Sequence, residues 1–319
     1  MTTIDVFNGD ADGICALLQL RLADPLETTL VTGVKRDINL LRRVNAGAGD
    51  RVNVLDVSLA QNRDDVLRLL ESGAELFYVD HHMPGEIPDH PGLHTIIDTG
   101  PDVCTSILID RYLDGRFTPW AVTAAFGDNL LTAAQTLGRR AGLAPDSLER
   151  LKMLGICINY NGYGAVVDDL HVAPDALFRA LLAYPNPEDF ISYAGSCYQQ
   201  LRAGYRDDIA RADAVRPDYA TDAVAVYILP DEAWARRVSG VFGNALANFH
   251  PQRAHAVVTA NSLGGYQVSV RAPLENKTGA DELCSQFPSG GGRRGAAGIN
   301  HLPLDRYADF VAAFQARYA

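Results

Sequence analysis

The sequence predicts an α/β chain: an N-terminal domain on a parallel sheet, a helical linker, and a smaller C-terminal α/β domain. Three observations predict it. Short apolar runs alternate with helical stretches over the first third; the pattern from Pro101 to about Pro185 is mostly helical; strand patterns return beyond Arg216-Pro217-Asp218. The first is the βαβ rhythm of a parallel sheet. At 319 residues the chain is long enough for two domains that each bury a core. The expected boundaries are 1–185 for the first domain, 186–217 for the linker and 218–319 for the second.

Taken in order, the expected strands of the first domain are Ile4–Phe7, Leu30–Val34, Val52–Leu55, Leu76–Val79 and Thr95–Ile97. Between them Gly13–Leu22, Ile38–Val44 and Arg63–Ser72 read as helices. Val66, Leu67, Leu69 and Leu70 have the spacing of a helix lying on a sheet. Val103–Leu113, Pro119–Leu137 and Ser147–Ile158 form the helical part. Pro187 to Arg216, rich in Gln and Arg, reads as one or two connecting helices. The second domain has strands Ala223–Leu229, Ala254–Asn261 and Tyr266–Arg271, the last alternating sides with period two. Helices fill Val238–Asn248, Gly279–Gln286 and Leu304–Tyr318, and the glycine-rich Ser289–Gly298 between the last two reads as a loop. No internal repeat is evident.

The composition is globular, 47% hydrophobic and 21% charged, with a formal net charge of −11. That charge argues against broad binding of long nucleic acid, which needs a basic stripe. A small phosphorylated substrate can still bind where metals and a few arginines supply positive charge. The five cysteines, Cys15, Cys104, Cys157, Cys197 and Cys284, never form a C-x-x-C pair and read as reduced core thiols. No signal peptide is visible, and no apolar run approaches the ~20 residues that span a bilayer. The expectation is a soluble cytoplasmic protein without membrane contact; a homodimer is compatible with it.

Four acidic constellations sit at strand or helix ends. Asn8-Gly9-Asp10-Ala11-Asp12-Gly13 joins the first strand to the first helix, and its two carboxylates can face one cation. The plainer reading of an isolated D-x-D-G is a helix N-cap. Asp56 ends the third strand. Asp80-His81-His82 ends the fourth, where open α/β sheets build ligand sites. Gly127-Asp128-Asn129 places an acid in an apolar helix, and a buried carboxylate needs a partner. Together Asp10, Asp12, Asp56, His81 and Asp128 would repel unless cations neutralised them. Mixed carboxylate and imidazole donors suit Mn²⁺, with Mg²⁺ as the alternative. Two ions about 3.5–4 Å apart would activate a water and stabilise attacking and leaving oxygens at phosphorus.

Arg293 and Arg294, inside the glycine-rich segment, can add charge-assisted contacts to a phosphate, though the spacing matches neither a P-loop nor a dinucleotide fingerprint. Lys35-Arg36-Asp37 reads as a solvated loop, with phosphate contact as the alternative. Asn159-Tyr160-Asn161-Gly162-Tyr163-Gly164 reads as a surface turn, with cleft lining as the alternative. His301 is a minor candidate just past the glycine loop.

These residues resemble the DHH phosphoesterase superfamily, specifically its RecJ-like and oligoribonuclease-phosphatase branch with a C-terminal DHHA1 domain. Asp10-Ala11-Asp12-Gly13 is similar to motif I, Leu55-Asp56-Val57-Ser58 to motif II, Asp80-His81-His82 to the naming motif III and Gly127-Asp128 to motif IV. Ser269-Val270-Arg271 and the segment Gly290-Gly291-Gly292-Arg293 to Ala296-Ala297-Gly298 resemble the DHHA1 substrate strand and glycine loop. The matches keep the family's order from residue 4 to 298.

The resemblance implies a two-domain clamp with two Mn²⁺ ions in the DHH domain. It makes Asp10, Asp12, Asp56, His81 and Asp128 metal ligands, with Asp56 bridging. His82 would meet the scissile phosphate as proton donor, with Asp80 orienting an imidazole or completing a ligand set. Arg271, Gly290, Gly291, Gly292 and Arg293 would bind substrate. Two positions depart from the pattern. Val6 stands where many members have a motif I histidine, with Asn8 the nearest polar residue, which bears on one ion's ligands. Arg293 stands where the glycine loop usually ends in histidine.

The implied function is an Mn²⁺-dependent phosphoesterase acting by metal-activated water on small nucleotides: short oligonucleotides, linear dinucleotides or 3′-phosphoadenosine 5′-phosphate. Exopolyphosphatase activity is the second enzymatic reading. RecJ-like action on long single strands fits less well with a charge of −11 and no room for an added OB domain. A non-catalytic nucleotide-binding regulator is the reading of a different class, favoured by Val6 and Arg293. Long duplex nucleic acid is not an expected partner.

Overall fold

The computed structural model describes residues 2–318. Its backbone divides into two compact units, Met1–Ala203 and Gly204–Ala319. The first carries β1 (Thr3–Phe7), α1 (Ala11–Ala23), β2 (Thr29–Val31), β3 (Arg51–Leu55), α2 (Leu59–Glu71), β4 (Glu75–Asp80) and β5 (Leu93–Ile97). Six helices follow: α3 (Thr105–Tyr112), α4 (Thr118–Gly127), α5 (Leu131–Arg140), α6 (Pro145–Asn161), α7 (Pro174–Leu181) and α8 (Pro187–Ser192). Helix α9 (Tyr198–Asp213) runs on into the second unit.

The five strands pair in parallel in the order β2-β1-β3-β4-β5. Phe7 pairs with Leu55, Leu55 with Val79, and Asp80 with Ile97, so neighbouring strands end at one edge. Whatever follows β1, β3 and β4 must therefore leave the sheet side by side. One face is covered by Leu40, Leu41 and Val44, with Val66, Leu69 and Leu70 of α2, all buried. Each such side chain contributes about 1.5–3 kcal/mol.

Helix α1 has no solvent stripe: Ile14, Cys15, Ala16, Leu17 and Leu18 are all fully buried. Its polar side chains are matched instead of exposed. Gln19 donates to the Ser106 hydroxyl at 2.8 Å, and Arg21 forks onto Asp5 of β1 at 2.8 and 2.9 Å. Asp5 also accepts from Asn53 and Thr28, each at 2.7 Å.

The sequence-based elements shift in specific places. Ile38–Val44 forms only a short 3₁₀ turn, Leu40–Arg43. The expected helix Pro119–Leu137 is two helices, broken at Asp128-Asn129. There Asn129 takes a left-handed φ of 59° and Leu130 donates to Ala125, a paired-bond helix stop. Apolar periodicity continues through the break, so the pattern alone hides it.

The second unit holds β6 (Tyr219–Ala220), β7 (Val224–Leu229), α10 (Ala233–Phe249), β8 (Ala254–Asn261), β9 (Gly265–Arg271), α11 (Ala280–Cys284), β10 (Gly290–Arg293), β11 (Ala296–Pro303) and α12 (Tyr307–Tyr318). The sheet order is β10-β11-β9-β8-β7-β6. Strands β7 and β8 are parallel, with α10 as the crossover that such a pair requires. Val224, Val226, Ala256, Val258, Val268 and Val270 form its core with Leu283, Phe310 and Phe314.

The glycine-rich segment is not a loop. Gly290–Arg293 pairs with Ala296–Ile299 as an antiparallel hairpin. A Cβ on Gly292 would lie 2.5 Å from the Ala297 Cα, so the glycine serves close strand approach. All five cysteines are reduced, and four are buried. Among the described residues no helix is long and apolar enough to cross a membrane.

Candidate metal centre

The edge where β1, β3 and β4 end gathers the acidic segments. Asp56 follows β3 in a left-handed conformation, φ 56°, its N–H donating to Val79 at 3.1 Å. That conformation costs a side chain on the order of 1–3 kcal/mol, least for Asp and Asn, and it turns the carboxylate along the edge. Asp128 caps the C-terminus of α4, where the helix dipole would favour a base over an acid. Neither placement is explained by local stability.

His81 is the hub. Its Nδ1 lies 2.9 Å from the Val103 carbonyl, which fixes the Nδ1–H tautomer and leaves a lone pair on Nε2. That Nε2 lies 3.4 Å from Asp56 Oδ1, 3.7 Å from Asp12 Oδ2 and 3.9 Å from Asp128 Oδ2. Asp12 is fully buried and accepts the backbone N–H groups of Thr105 at 2.8 Å and Ser106 at 2.7 Å, at the start of α3. Asp12, His81 and Asp128 present ligand atoms within 4.8 Å of one another, as do Asp56, His81 and His82.

Asp80 and His82 form a second pair. His82 Nδ1 lies 2.7 Å from Asp80 Oδ1, while its side chain is a third exposed. With Nδ1 engaged, Nε2 is the nitrogen left to exchange a proton. The other Asp80 oxygen is buried and has no hydrogen-bond partner among the described residues.

Asp10 behaves differently from its expected partners. One oxygen caps α1 by accepting from the N–H groups of Asp12 and Gly13, as the plainer reading of D-x-D-G anticipates. The other meets the Lys35 ammonium. Lys35 is therefore no solvated loop residue: its Nζ also lies 3.2 Å from Asn159 Oδ1 and 3.6 Å from Asp128 Oδ1. The segment read as a surface turn ends α6 instead, with Asn159, Tyr160, Asn161 and Tyr163 buried. A Cβ on Gly162 would stand 3.0 Å from the Asp10 Cα. Sequence reasoning missed Thr105 and Ser106, which carry no motif signal; Asn159 and Tyr163 were visible only in a segment whose less favoured reading was cleft lining, and Lys35 only as a charge after β2.

The electrostatics ask for cations. Burial, then repulsion from Asp10, Asp12 and Asp80, drives the Asp56 carboxyl well above its ordinary value. Burial also raises Asp12, with Asp128 and Asp10 adding to it against the pull of His81. Asp10 goes the other way: burial pushes it up, but the charge and hydrogen bond of Lys35 together with the Gly13 N–H hold it below its ordinary value. Burial works against the Lys35 charge, yet Asp10, Tyr163, Asp128 and Asp56 keep its pKa raised. Hard oxygens plus one oriented imidazole fit Mn²⁺ or Mg²⁺ better than softer metals.

A pH dependence follows from Asp12 and Asp56. Their raised values mean that the metal-free folded state holds protons which the unfolded chain releases above the ordinary 3.8. Without metal, their contribution to stability therefore falls as pH rises from that value through the folded values. A divalent ion binds the ionised carboxylates and reverses the loss. The increment in Tm on adding Mn²⁺ is expected to grow with pH in thermal melts run with Mn²⁺ and with EDTA. An increment that is flat or shrinks with pH contradicts this.

In the second unit Arg293 pairs across β10 and β11 with Ala296, and Ala296 across β9 with Arg271. Both arginines thus lie on one sheet face, two strand spacings apart, or about 9–10 Å. Arg271 is tied to α10, its Nε donating to Asn244 Oδ1 at 2.6 Å and one terminal nitrogen to the Gly240 carbonyl at 3.2 Å. Gly290, Gly291 and Gly292 lie on β10, and a Cβ on Gly291 would meet open space. His301 lies 3.4 Å from Asn261 and accordingly has a local structural partner.

No family model matches the sequence, nor does any curated protein. Solved structures do. The chain is similar to exonuclease RecJ bound to manganese, with a TM-score of 0.60 and 18% identity over 99% of this chain and 91% of that one. It is similar to RecJ in complex with Mn²⁺ from Thermus thermophilus, with a TM-score of 0.56 and 17% identity. There it is covered over 99% of its length but spans only 52% of the other chain. It is also similar to PggH, a pGpG-specific phosphodiesterase from Vibrio cholerae, with a TM-score of 0.53 and 12% identity over 99% and 98% of the two chains. At these identities the likeness establishes the fold, a two-unit RecJ-like α/β architecture.

Proposed function

We propose that this chain is a metal-dependent phosphoesterase of the DHH superfamily that hydrolyses small nucleotide substrates such as linear dinucleotides, short oligonucleotides or 3′-phosphoadenosine 5′-phosphate. The carrying observation is the convergence of Asp12, Asp56 and Asp128 on His81 Nε2, within 3.4–3.9 Å, beside the His82–Asp80 pair. The fold shared with RecJ and PggH supports the same reading.

Asp12, Asp56, His81 and Asp128 would hold the ion. When bound, a divalent ion supplies an acidified water and positive charge for the phosphoryl oxygens. His82 delivers a proton from Nε2 to the departing oxygen, its ring held by the 2.7 Å contact with Asp80. The Val103 carbonyl keeps His81 in one tautomer, and the start of α3 keeps Asp12 in one orientation. Mn²⁺ is the proposed metal because the donor set mixes carboxylates and imidazole. In the second unit, Arg271 and Arg293 are the proposed binders of substrate phosphate.

The test is a substrate panel with Mn²⁺, Mg²⁺ or EDTA: a linear dinucleotide, a short oligoribonucleotide, 3′-phosphoadenosine 5′-phosphate, polyphosphate and long single-stranded DNA. Mononucleotide or phosphate release from the small nucleotides is expected, with EDTA abolishing it. His82→Ala should lower turnover by about 10²–10⁴-fold with metal binding retained. Hydrolysis confined to polyphosphate would replace the reading with exopolyphosphatase. Binding of nucleotides without turnover under any metal would make the chain a regulator.

A further inference from the structure

We infer that the Lys35 ammonium substitutes for one of two metal ions, so that the centre of this chain takes a single divalent ion. The inference rests on the metal-dependent reading above and refines it. Four carboxylates, Asp10, Asp12, Asp56 and Asp128, crowd this edge of the sheet, and Lys35 is the cation planted among them. Its Nζ meets Asp10 and lies 3.6 Å from Asp128 Oδ1, whereas Asp128 Oδ2 faces His81 Nε2 at 3.9 Å. The two oxygens of Asp128 are thus divided between the ammonium and the imidazole.

Both oxygens of Asp10 are already engaged. Oδ1 accepts the N–H groups of Asp12 and Gly13, and Oδ2 is engaged by Lys35. Asp10 is accordingly absent from both groups of side chains close enough to share a metal. Val6 of β1, aliphatic and fully buried, supplies no replacement; just past the strand the neutral Asn8 Oδ1, buried without a hydrogen-bond partner among the described residues, brings no charge to hold a second ion.

Lys35 is held, not draped. Its backbone N–H donates to the Gly162 carbonyl at 2.7 Å, and its carbonyl accepts from Asn8 Nδ2 at 3.2 Å. Its ammonium lies 5.5 Å from the centroid of the Tyr163 ring, and Asn159 Oδ1 accepts from it at 3.2 Å. Side chains from the ends of α1, α4 and α6 thus fix the charge among the carboxylates. A second divalent ion placed among these carboxylates would stand beside a fixed ammonium, so that ion is disfavoured by direct repulsion.

The measurement is the number of Mn²⁺ ions bound per folded full-length chain, by calorimetry and elemental analysis, with electron paramagnetic resonance as a second readout. Wild type is expected to bind one ion with an uncoupled six-line spectrum. Lys35→Met combined with Val6→His is expected to bind two, with spectral broadening from spin coupling between neighbouring ions. Two coupled ions in wild type overturn the role of Lys35 and leave the phosphoesterase reading intact. No bound ion in wild type at millimolar Mn²⁺ overturns both. A double variant that folds, by circular dichroism, and still binds one ion also overturns the role of Lys35. Should that variant fail to fold, the wild-type count and spectrum decide.

Discussion

Asp56→Asn is expected to abolish hydrolysis and at the same time make the metal-free protein harder to melt. Asn adopts the left-handed φ of 56° as readily as Asp, so the backbone after β3 is kept. What is lost is one charge, 3.4 Å from His81 Nε2. Removing a partner behind a metal ligand commonly costs about 10–100-fold, and removing a ligand charge should cost more than about 100-fold in turnover. Stability moves the other way, because Asp56 is buried beside Asp10, Asp12 and Asp80, which repel its ionised form. Each kcal/mol of relief appears as about 2–4 °C in Tm for a unit of this size. Melting in EDTA and turnover in Mn²⁺ are the two measurements. A variant that loses both stability and activity would mean that Asp56 is structural, not a charge held for function.

Arg21→Met is expected to destabilise the protein by about 3–5 kcal/mol without touching the metal edge, because it strands the fully buried Asp5 carboxylate. Asp5 then keeps only Asn53 and Thr28, each at 2.7 Å, neither of which carries charge. A change of that size is a large share of the ~5–15 kcal/mol that holds a domain folded. Adding Asp5→Leu to Arg21→Met should recover part of the loss, since the penalty comes from the abandoned charge. Urea denaturation of wild type, single and double variants checks this. A single variant within about 1 kcal/mol of wild type would show that water reaches Asp5.

The parallel sheet was legible because β1, β3 and β4 are short apolar runs that end in conspicuous polar residues, and strand ends are where such sheets present side chains. The edge cluster was legible for the same reason: Asp56 and His81 each follow a strand directly, and Asp12 lies in the first turn of the helix after β1. Lys35 was not legible as part of it. Its partners lie 25 residues away at Asp10 and 124 away at Asn159, and no local pattern distinguishes such a lysine from one in solvent. The break at Asp128 was masked because the apolar spacing of α4 carries on into α5. The one local signal was Asn129, a residue tolerant of left-handed φ. Glycines in Gly290–Gly292 suggested a loop, whereas the segment is a strand in which Gly292 sits where β10 and β11 pass too close for a side chain.

The clasp of Asp12 by α3 bears on the order in which this molecule forms. The Asp12 carboxylate accepts N–H groups from Thr105 and Ser106, 93 and 94 residues further along the chain. Between those ends lie β2, β3, β4 and β5, so a long loop must close before the clasp exists, at a large entropic cost. Until that closure Asp12 lies at the start of α1 with water around it, and the edge cannot gather its charges. If the clasp closes after the folding transition state, it acts mainly on the rate of unfolding. An ion seated on Asp12 and Asp128 would act less as a seed for the fold than as a latch on the finished one.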